Sequence, residues 1–580
     1  LGFNGTGLFV QTGGTHTNGA MGIATDIGSS GTYSLSGTAL LSSGGQYVGS
    51  SGTGVFMQTG GTNTITNDLN MGLNSGSSGT YTISGGTLDV TGSIVDGAGN
   101  STLNNNGGTL NVGGTMDVDT YGLGITSGSN VSHNTATTPN YTFDNLNVGG
   151  SGTGAFTHSD GSTVSLTNLS LGINAGGSGT YNLGGTSNLT AANETIGNSG
   201  TGTFTHSGGT NAISNGLFIG NNGGSSGTYS LSDTGTVSAT DEYVGRYGTG
   251  SFAQTSGTNT VSNRLYLGTY SGASGTYDLS GSSDVSANIF YFGNAGTGEF
   301  NQSGTSTATT NELWLGYYSG GNATYNLSET GNLSATDETI GRSGTGTFNQ
   351  SGGTHSVTAG FTLGTNAGSS GTYNLSGTGN LTSDTETIGN SGTGLFTQTG
   401  GTHTVSNINL GVNSGSSGTY NLSAGTHSVT TGFTLGTNAG SSGTYNLSDT
   451  GSLTSVTETI GNSGTGLFAQ TGGTNTITND LAIGNNTGSS GTVNLSGGSL
   501  SISNDAFIGN SGTGIFTQIG GTHTVSSELF IGKNSGGSGT YNLSGTGSLT
   551  SSGMDLGFNG TGLFVQTGGT HTNGAMGIAT

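Results

Sequence analysis

An aromatic residue recurs along the chain at steps that alternate between 25 and 23 residues, and this spacing constrains the fold more than any other feature. The full period is therefore 48 residues, a pair of coils that average 24 residues each. A fixed period of this size is typical of repeat architectures, in which each unit packs against its two neighbours. The clearest run consists of Phe204, Tyr229, Phe252, Tyr277, Phe300, Tyr325, Phe348, Tyr373 and Phe396.

Each coil contains three short segments in which apolar and polar residues alternate. In one coil these segments lie around Phe348, around Val357 and at Leu363. Such alternation indicates strands with one buried face, and the Gly-Gly, Gly-Thr-Gly and Asn-Ser-Gly sequences between the segments indicate turns. The sequence therefore predicts an all-β, right-handed parallel β-solenoid (β-helix). We expect this solenoid to have about 24 residues per coil, 48-residue coil pairs and roughly three short strands per coil.

The composition fits a thin but continuous core. Only 28% of the residues are hydrophobic and 124 are Gly, which in a chain without regular spacing would indicate disorder. In a solenoid, each coil lies about 4.8 Å from the next, so like residues stack on like residues along the whole chain. Such ladders are stable, because every added coil adds another interface.

The charge balance excludes several classes of function. The chain has 4 basic and 27 acidic residues, a net charge of −23, whereas nucleic-acid binding needs clustered Lys and Arg. No apolar run approaches the roughly 18–20 residues of a membrane-spanning helix, so we expect no membrane insertion in this segment. The absence of Cys excludes disulfides and thiolate metal sites, and it suits an extracellular or cell-surface location.

The regular spacing divides the chain into three parts. Residues 1–96 and 151–580 keep the coil pattern, whereas residues 97–150 lose it and contain the only proline, Pro139. The interval from Tyr81 to Phe156 is 75 residues, which is close to three coils. We therefore expect the winding to continue through 97–150 beneath a projecting loop.

Residues 1–25 recur identically as residues 556–580, although neighbouring coils within the array differ at many positions. This identity indicates a super-repeat of 555 residues followed by the start of the next block. At about 4.8 Å per coil, the roughly 23 coils of one block would extend for about 110 Å.

The coil sequences G-T-G-L-F-T-Q-T-G-G-T-H-T-V-S-N (392–407) and I-G-N-S-G-T-G (460–466) resemble bacterial β-strand-repeat proteins of the autotransporter-associated kind. The resemblance covers nearly the whole chain apart from about 97–150. It implies an extracellular or surface-exposed solenoid. We therefore expect a structural segment of an extracellular fibre or surface filament, made of tandem blocks and partnered by itself.

The alternative is an adhesin that uses the solenoid as a stalk and binds a surface such as a polysaccharide through 97–150 or through outward Thr and Asn ladders. An enzyme on this fold would need clustered Asp, Arg and Lys that interrupt the repeat. The sequence has no such cluster, so we expect no enzymatic activity.

Two polar columns are candidates for chemistry. A histidine or asparagine lies seven residues after many coil phenylalanines, and a glutamate lies thirteen residues after many coil tyrosines. The histidines are His16, His355, His403, His523 and His571, and the asparagines are Asn63, Asn211, Asn259 and Asn475. The glutamates are Glu194, Glu242, Glu338, Glu386 and Glu458.

Neither column predicts a catalytic, cofactor-binding or metal site. Histidines two coils apart would be separated by roughly 9.6 Å, whereas zinc ligands lie about 2.0–2.1 Å from one ion. We interpret the histidines as polar corner residues. A repeated Glu column offers no unique pair of carboxyls for hydrolysis. It is therefore interpreted as an exposed edge that keeps the fibre soluble, although this leaves unexplained why Glu shares its column with Leu.

Three further patterns have structural explanations. The Thr-x-Thr pairs skip every second coil and fit the strand propensity of threonine. The repeated Asn-Leu-Ser sequences, which in some compartments would accept N-glycans, predict an Asn ladder on an outward strand face. The single tryptophan, Trp314, is interpreted as another aromatic residue of a coil.

Overall fold

The structure, a computed structural model, describes residues 1–134 and 140–578. It is an all-β parallel β-solenoid of about 24 turns with about 24 residues per turn, 65% strand and no helix among the described residues. The fold class predicted from the aromatic spacing is therefore confirmed. The chain divides into two compact units, Leu1–Ser286 and Ala287–Thr580.

The strands that begin in the first unit are β1 (Thr6–Gln11), β2 (Thr15–Ile23), β3 (Ser30–Leu35), β4 (Leu40–Val48), β5 (Thr53–Ile65), β6 (Leu69–Met71), β7 (Ser78–Val90), β8 (Ile94–Asp96), β9 (Asn100–Asn105), β10 (Thr109–Val112), β11 (Met116–Leu123), β12 (Asn130–Asn134), β13 (Tyr141–Val148), β14 (Thr153–His158), β15 (Thr163–Leu171), β16 (Ser178–Leu183), β17 (Asn188–Ile196), β18 (Thr201–His206), β19 (Thr210–Ile219), β20 (Ser226–Leu231), β21 (Thr236–Val244), β22 (Thr249–Gln254), β23 (Thr258–Leu267), β24 (Ser274–Leu279) and β25 (Asp284–Phe292).

The remaining strands are β26 (Thr297–Gln302), β27 (Thr307–Leu315), β28 (Asn322–Leu327), β29 (Asn332–Ile340), β30 (Thr345–Gln350), β31 (Thr354–Leu363), β32 (Ser370–Leu375), β33 (Asn380–Ile388), β34 (Thr393–Leu410), β35 (Ser417–Leu435), β36 (Ser442–Leu447), β37 (Ser452–Ile460), β38 (Thr465–Gln470), β39 (Thr474–Ile477), β40 (Leu481–Ile483), β41 (Ser490–Leu495), β42 (Ser499–Ile502), β43 (Ala506–Ile508), β44 (Thr513–Gln518), β45 (Thr522–Ile531), β46 (Ser538–Leu543), β47 (Ser548–Leu556), β48 (Thr561–Gln566) and β49 (Thr570–Ile578).

A regular coil consists of a six-residue strand and a longer strand that bends. The short strand β20 carries the coil aromatic Tyr229, and the long strand β21 carries the second and third alternating segments. At the bend, the register with the next coil shifts between Ala239 and Asp241, so two successive residues face outward there. The second and third predicted segments are thus usually one bent strand, because a bulge rather than a glycine turn forms the corner. In some coils, such as the one containing β39 and β40, they are separate strands.

The parallel register places each coil aromatic directly against the next. In the first unit Phe204 pairs with Tyr229, which pairs in turn with Phe252, and the ring centroids are 4.6 and 4.7 Å apart. All three side chains are fully buried. Complete burial of a large apolar side chain contributes roughly 1.5–3 kcal/mol, so a core one ring thick is sufficient when it is continuous.

Glycine is required where the long strand ends and the chain turns to the next short strand. Gly245 follows Val244 with a φ of 72°, in the left-handed region that residues with a Cβ avoid. A Cβ at this position would overlap the backbone carbonyl of Ser274 in the next coil. The turn therefore needs glycine both for its conformation and for the close approach of successive coils.

Parallel strands are also present within residues 97–150, where the regular coil spacing is absent from the sequence. β9 pairs with β7, β11 pairs with β9 and β13, and β13 pairs with β15. Residues 135–139, which include Pro139, lie outside the described residues. The projecting loop predicted for 97–150 therefore stays a prediction.

Candidate functional site

The glutamate column lies inside the solenoid, so its interpretation as an exposed edge was wrong. Four of the five Glu side chains are at most 1% exposed, and Glu458 is 2% exposed. In the sheet register Glu194 lies between Leu169 and Leu217, so all three side chains face the same interior. The bulge at the corner sets this direction, since it reverses the alternation between the second and third segments. This direction explains why the glutamates occupy the same column as leucines.

Each buried carboxyl meets the polar residue that follows it by 17 positions, in the next coil. The Nδ2 amides of Asn211 and Asn259 donate to Glu194 and Glu242 over 3.0 and 2.9 Å. Asn475 donates to Glu458 in the same way over 3.2 Å. The two columns noted in the sequence are therefore one set of paired side chains.

Histidine replaces asparagine in two of these pairs. His355 Nε2 lies 2.7 Å from Glu338, and His403 Nε2 lies 2.8 Å from Glu386. Both histidines are buried, at 1% exposed, so their interpretation as corner residues was wrong. Within the described residues, no group of three or more His, Cys, Asp or Glu side chains could hold a metal ion.

A hydrogen-bond network connects these pairs across three successive coils. Asn259 donates both to Glu242 and to the hydroxyl of Tyr277, which lies 3.0 Å away. The Tyr277 hydroxyl donates to Gln254 Oε1 over 2.6 Å, and the Gln254 amide donates to the carbonyls of Gly257 and Asp284. Because buried polar groups are costly when unpaired, a coil that slips by one residue would lose several bonds at once. The network therefore stabilises the register of the coils.

A neutral version of the pair occurs at Gln46, which lies thirteen residues after Tyr33 and so takes the place of the glutamates. Gln46 and Asn63 exchange two hydrogen bonds, of 2.7 and 3.0 Å, between their side-chain amides. In the pair of Glu242 with Asn259 only one bond is present, and Glu242 Oε1 and Asn259 Oδ1 have no partner among the described residues. A proton on Oε1 would supply the second bond, as the amide does in Gln46.

Burial favours this protonated form of the carboxyls. Removal from water raises the pKa of Glu194 to about 8, against the opposing effect of the Asn211 hydrogen bond. The pKa values of Glu242 and Glu458 are raised to about 7 for the same reason. These three side chains are therefore carboxylic acids in mildly acidic solution.

In one place both positions of the pair are apolar. Phe290 takes the place of the glutamate, thirteen residues after Tyr277, and is fully buried. Ala308 takes the place of its partner, because Leu333 is paired with Ala308 on one side and with His355 on the other. A large apolar ring thus replaces the acid, and a small apolar residue replaces the amide, which leaves no polar group of this pair in the core.

His523, which has no glutamate partner, is neutral. His523 Nδ1 lies 3.0 Å from the hydroxyl of Tyr541, and its Nε2 has no partner among the described residues, because Ala506 takes the place of the glutamate. Burial lowers the pKa of His523 to about 3. This imidazole is a stacked core ring, with its centroid 4.6 Å from that of Phe516.

The outward patterns agree with their structural interpretations. Asn349 donates to Asn326 and Asn374 donates to Asn349, each over 2.8 Å, so the predicted Asn ladder is confirmed. The Thr402–Thr404 pair lies on the outer side of β34, with the buried His403 between its members. Trp314 lies half-buried on the outer side of β27 and donates to Glu312 over 2.8 Å.

The pairing could have been found in the sequence from two signals. The glutamate always precedes by two positions an Ile or Val that a coil must bury, as in Glu386 and Ile388, so alternation directs it inward. An Asn or His follows each of these glutamates at position 17, and both signals become visible only when the two columns are considered together.

The described part of the chain contains no helix of the length and apolarity needed to cross a membrane. Comparison with known proteins adds no relative: no protein-family model matches the chain, and neither does any curated protein or solved structure.

Proposed function

We propose that the chain is a structural segment of an extracellular fibre or surface filament built from tandem solenoid blocks, and that it is not an enzyme. The observation that carries the proposal is the packing of the 25-residue coil that occurs twice. As residues 1–25, this coil pairs with the coil that follows it: β1 is in register with β3, and Phe9 stacks 4.9 Å from Tyr33. As residues 556–580, it pairs with the coil that precedes it: β48 is in register with β46, and the ring centroid of Phe564 lies 5.3 Å from that of Tyr541.

The two copies together show that one coil sequence accepts a neighbour on each of its faces. A block that follows Thr580 with the sequence from residue 26 onward could therefore continue the winding with the contacts already present in each unit. Continuous pairing would cover the strand edges that otherwise promote aggregation. It would also extend the aromatic ladder and the polar pairs through the boundary.

Two further features support a structural role. The coil sequences resemble extracellular β-strand-repeat proteins of bacteria, which is consistent with a surface location and with the chain as its own main partner. The buried acids that could have been catalytic are hydrogen-bonded inside the core and recur from coil to coil, so none of them forms a unique site facing solvent.

A second candidate is an adhesin in which the solenoid serves as a stalk. It is favoured by a polar groove of about 480 Å³ in the irregular part of the first unit, lined by Asn105, Asn111, Asn130 and Asn134 among others. Amide side chains of this kind can hydrogen-bond sugar hydroxyls. Substituting Asn111 and Asn130 with Ala would then abolish retention on a surface polysaccharide and leave the fold intact, whereas unchanged retention would reject this candidate.

The fibre proposal is tested in a chain of two tandem blocks by a disulfide across the boundary. Val565 faces outward on β48 and is the same position of the repeated segment as Val10. In the first copy, Val10 pairs with Ser34 of the following coil. We expect Val565→Cys and Ser34→Cys of the second block to cross-link on oxidation, because adjacent parallel strands bring Cα atoms within disulfide range. The pair Asn542→Cys and Val565→Cys, neighbours on β46 and β48 of the present structure, is the positive control. Oxidation of the control pair alone would contradict continuous winding.

A further inference from the structure

The basic residues of the chain all lie beside outward aromatic rings. Arg246 and Arg264 belong to such a cluster in the first unit, and Arg342 and Lys533 belong to others in the second. The chain has 4 basic residues against 27 acidic ones, so this placement sets a few surface patches apart from a surface that is otherwise acidic. Contiguous aromatic surface on a soluble protein commonly marks an interaction site.

The cluster in the first unit, called here the arginine–tyrosine patch, consists of Phe218, Tyr243, Arg246, Tyr247, Arg264, Tyr266 and Tyr270. The Arg246 guanidinium lies 5.0 Å from the ring centroid of Phe218 and 5.6 Å from that of Tyr247. Tyr247 and Tyr270 are 45% and 39% exposed. Tyrosine and arginine are the residues most enriched at the centres of protein interfaces, where fixed aromatic rings lose little conformational entropy on binding.

The orientation of the rings favours a protein partner over a sugar. Tyr247 and Tyr270 stack with centroids 4.2 Å apart, and Tyr243 and Tyr266 stack 4.8 Å apart. Within each stack the rings cover one another's faces, so only the end faces remain for a sugar ring to stack on. The patch therefore offers ring edges, hydroxyls and the Arg246 guanidinium, and these suit carboxylates, whereas Arg264 lies beside Asp241 in the sheet register.

An acidic counterpart is present in the same unit. Asp117 and Asp144 are exposed, and Asp119 lies close to Asp117. Partial removal from water raises the pKa of the Asp117 carboxyl, and the negative charges of Asp119 and Asp144 raise it further. A cation brought to this cluster would relieve the repulsion.

We propose that the arginine–tyrosine patch binds the Asp117–Asp119–Asp144 cluster of a second copy of this chain, so that solenoids associate side by side. The proposal rests on the proposed fibre function, because a fibre of tandem blocks repeats both surfaces along its length. In a fibre, repetition would make each later contact intramolecular and so strengthen an association that a single block already shows. Electrostatic contacts of this kind weaken as salt is added.

The test is sedimentation of the full 580-residue chain at 50 and 500 mM NaCl. We expect reversible side-by-side association at low salt that is lost at high salt. Arg246→Gln with Arg264→Gln should weaken this association at least 10-fold. The control, Thr339→Glu with Thr362→Glu, changes the net charge by the same amount at outward positions elsewhere and should associate as the unmodified chain does.

Charge exchange identifies the counterpart. A chain with Arg246→Glu and Arg264→Glu and a chain with Asp117→Arg and Asp144→Arg should each fail to associate alone but should associate when mixed. Circular dichroism and resistance to proteolysis show whether each variant is folded. Association that survives Arg246→Gln with Arg264→Gln would overturn the proposal. So would a chain that stays single at low salt, or a patch that retains an acidic polysaccharide instead. If the disulfide across the block boundary still forms in those cases, the fibre proposal stands without lateral association.

Discussion

Replacing the buried Glu242 by glutamine should make the surrounding coils more stable in neutral and alkaline solution but not in acid. Glu242 is fully buried, and burial raises the pKa of its carboxyl from 4.5 to about 7. Below pH 4.5 the carboxyl is protonated in both the folded and the unfolded chain. Between pH 4.5 and 7 the unfolded chain releases this proton while the folded chain keeps it, so stability falls as the pH rises.

The expected size follows from the two pKa values. Each pH unit in this window costs about 1.4 kcal/mol, so the whole change from pH 4.5 to 7 amounts to about 3 kcal/mol for Glu242. Glutamine fits the position, because Gln46 exchanges two hydrogen bonds with Asn63 in the corresponding place. Glu242→Gln should therefore match the unmodified chain at pH 4 and exceed its free energy of local opening by about 3 kcal/mol at pH 8.

The assay is hydrogen exchange read by mass spectrometry on peptides that cover β20 to β23, at several pH values and corrected for the intrinsic exchange rate. A local measurement is needed because long repeat arrays do not unfold in a single two-state step. Glu299→Gln, at an exposed position on β26, is the control and should leave the pH profile unchanged. A Glu242→Gln profile that runs parallel to that of the unmodified chain from pH 4 to 8 would refute the account of the buried acids.

Three other substitutions test other parts of the core. His523→Asn should reduce the loss of thermal stability between pH 7 and 4. In the folded chain the pKa of His523 is lowered to about 3, so between pH 7 and 4 the unfolded chain binds a proton at this histidine and the folded chain does not. An unchanged loss of thermal stability in the variant would contradict this. Tyr229→Phe removes the hydroxyl bonded to His206 and Asn211. It should cost about 1–3 kcal/mol in the free energy of local opening measured by hydrogen exchange, and a neutral result would argue against the network. Gly245→Ala should lower the melting temperature, whereas Gly223→Ala, which meets no atom within 4 Å, should not; equal effects would contradict the turn geometry.

The sequence was sufficient to predict the fold. Like residues stack on like residues in successive coils, so the repeat period equals the number of residues per coil. The aromatic positions, such as Phe204 and Tyr229, gave the coil length and the ladder in the correct register. Their alternation also placed Leu231 and Val244 in the core.

The glutamate column could not be placed in the same way. Its direction depends on the corner bulge, at which Thr240 and Asp241 both face outward and the alternation reverses. Alternation carried forward from Val237 therefore gives the wrong face for Glu242, whereas alternation carried back from Val244 gives the correct one. Charged residues are usually exposed, and this tendency also favoured the wrong interpretation. A buried acid needs a hydrogen-bond partner, and here the partner lies in the next coil, where the local sequence does not reveal it.

We propose that coils of about 24 residues wind without interruption from one 555-residue block into the next. Electron microscopy of native filaments, with measurement of the axial repeat, tests it most directly. We expect unbranched filaments that repeat at about 110 Å along the axis, with density continuous through each block boundary and a coil spacing of about 4.8 Å. Separate particles one block long, or filaments with gaps at the boundaries, would contradict it.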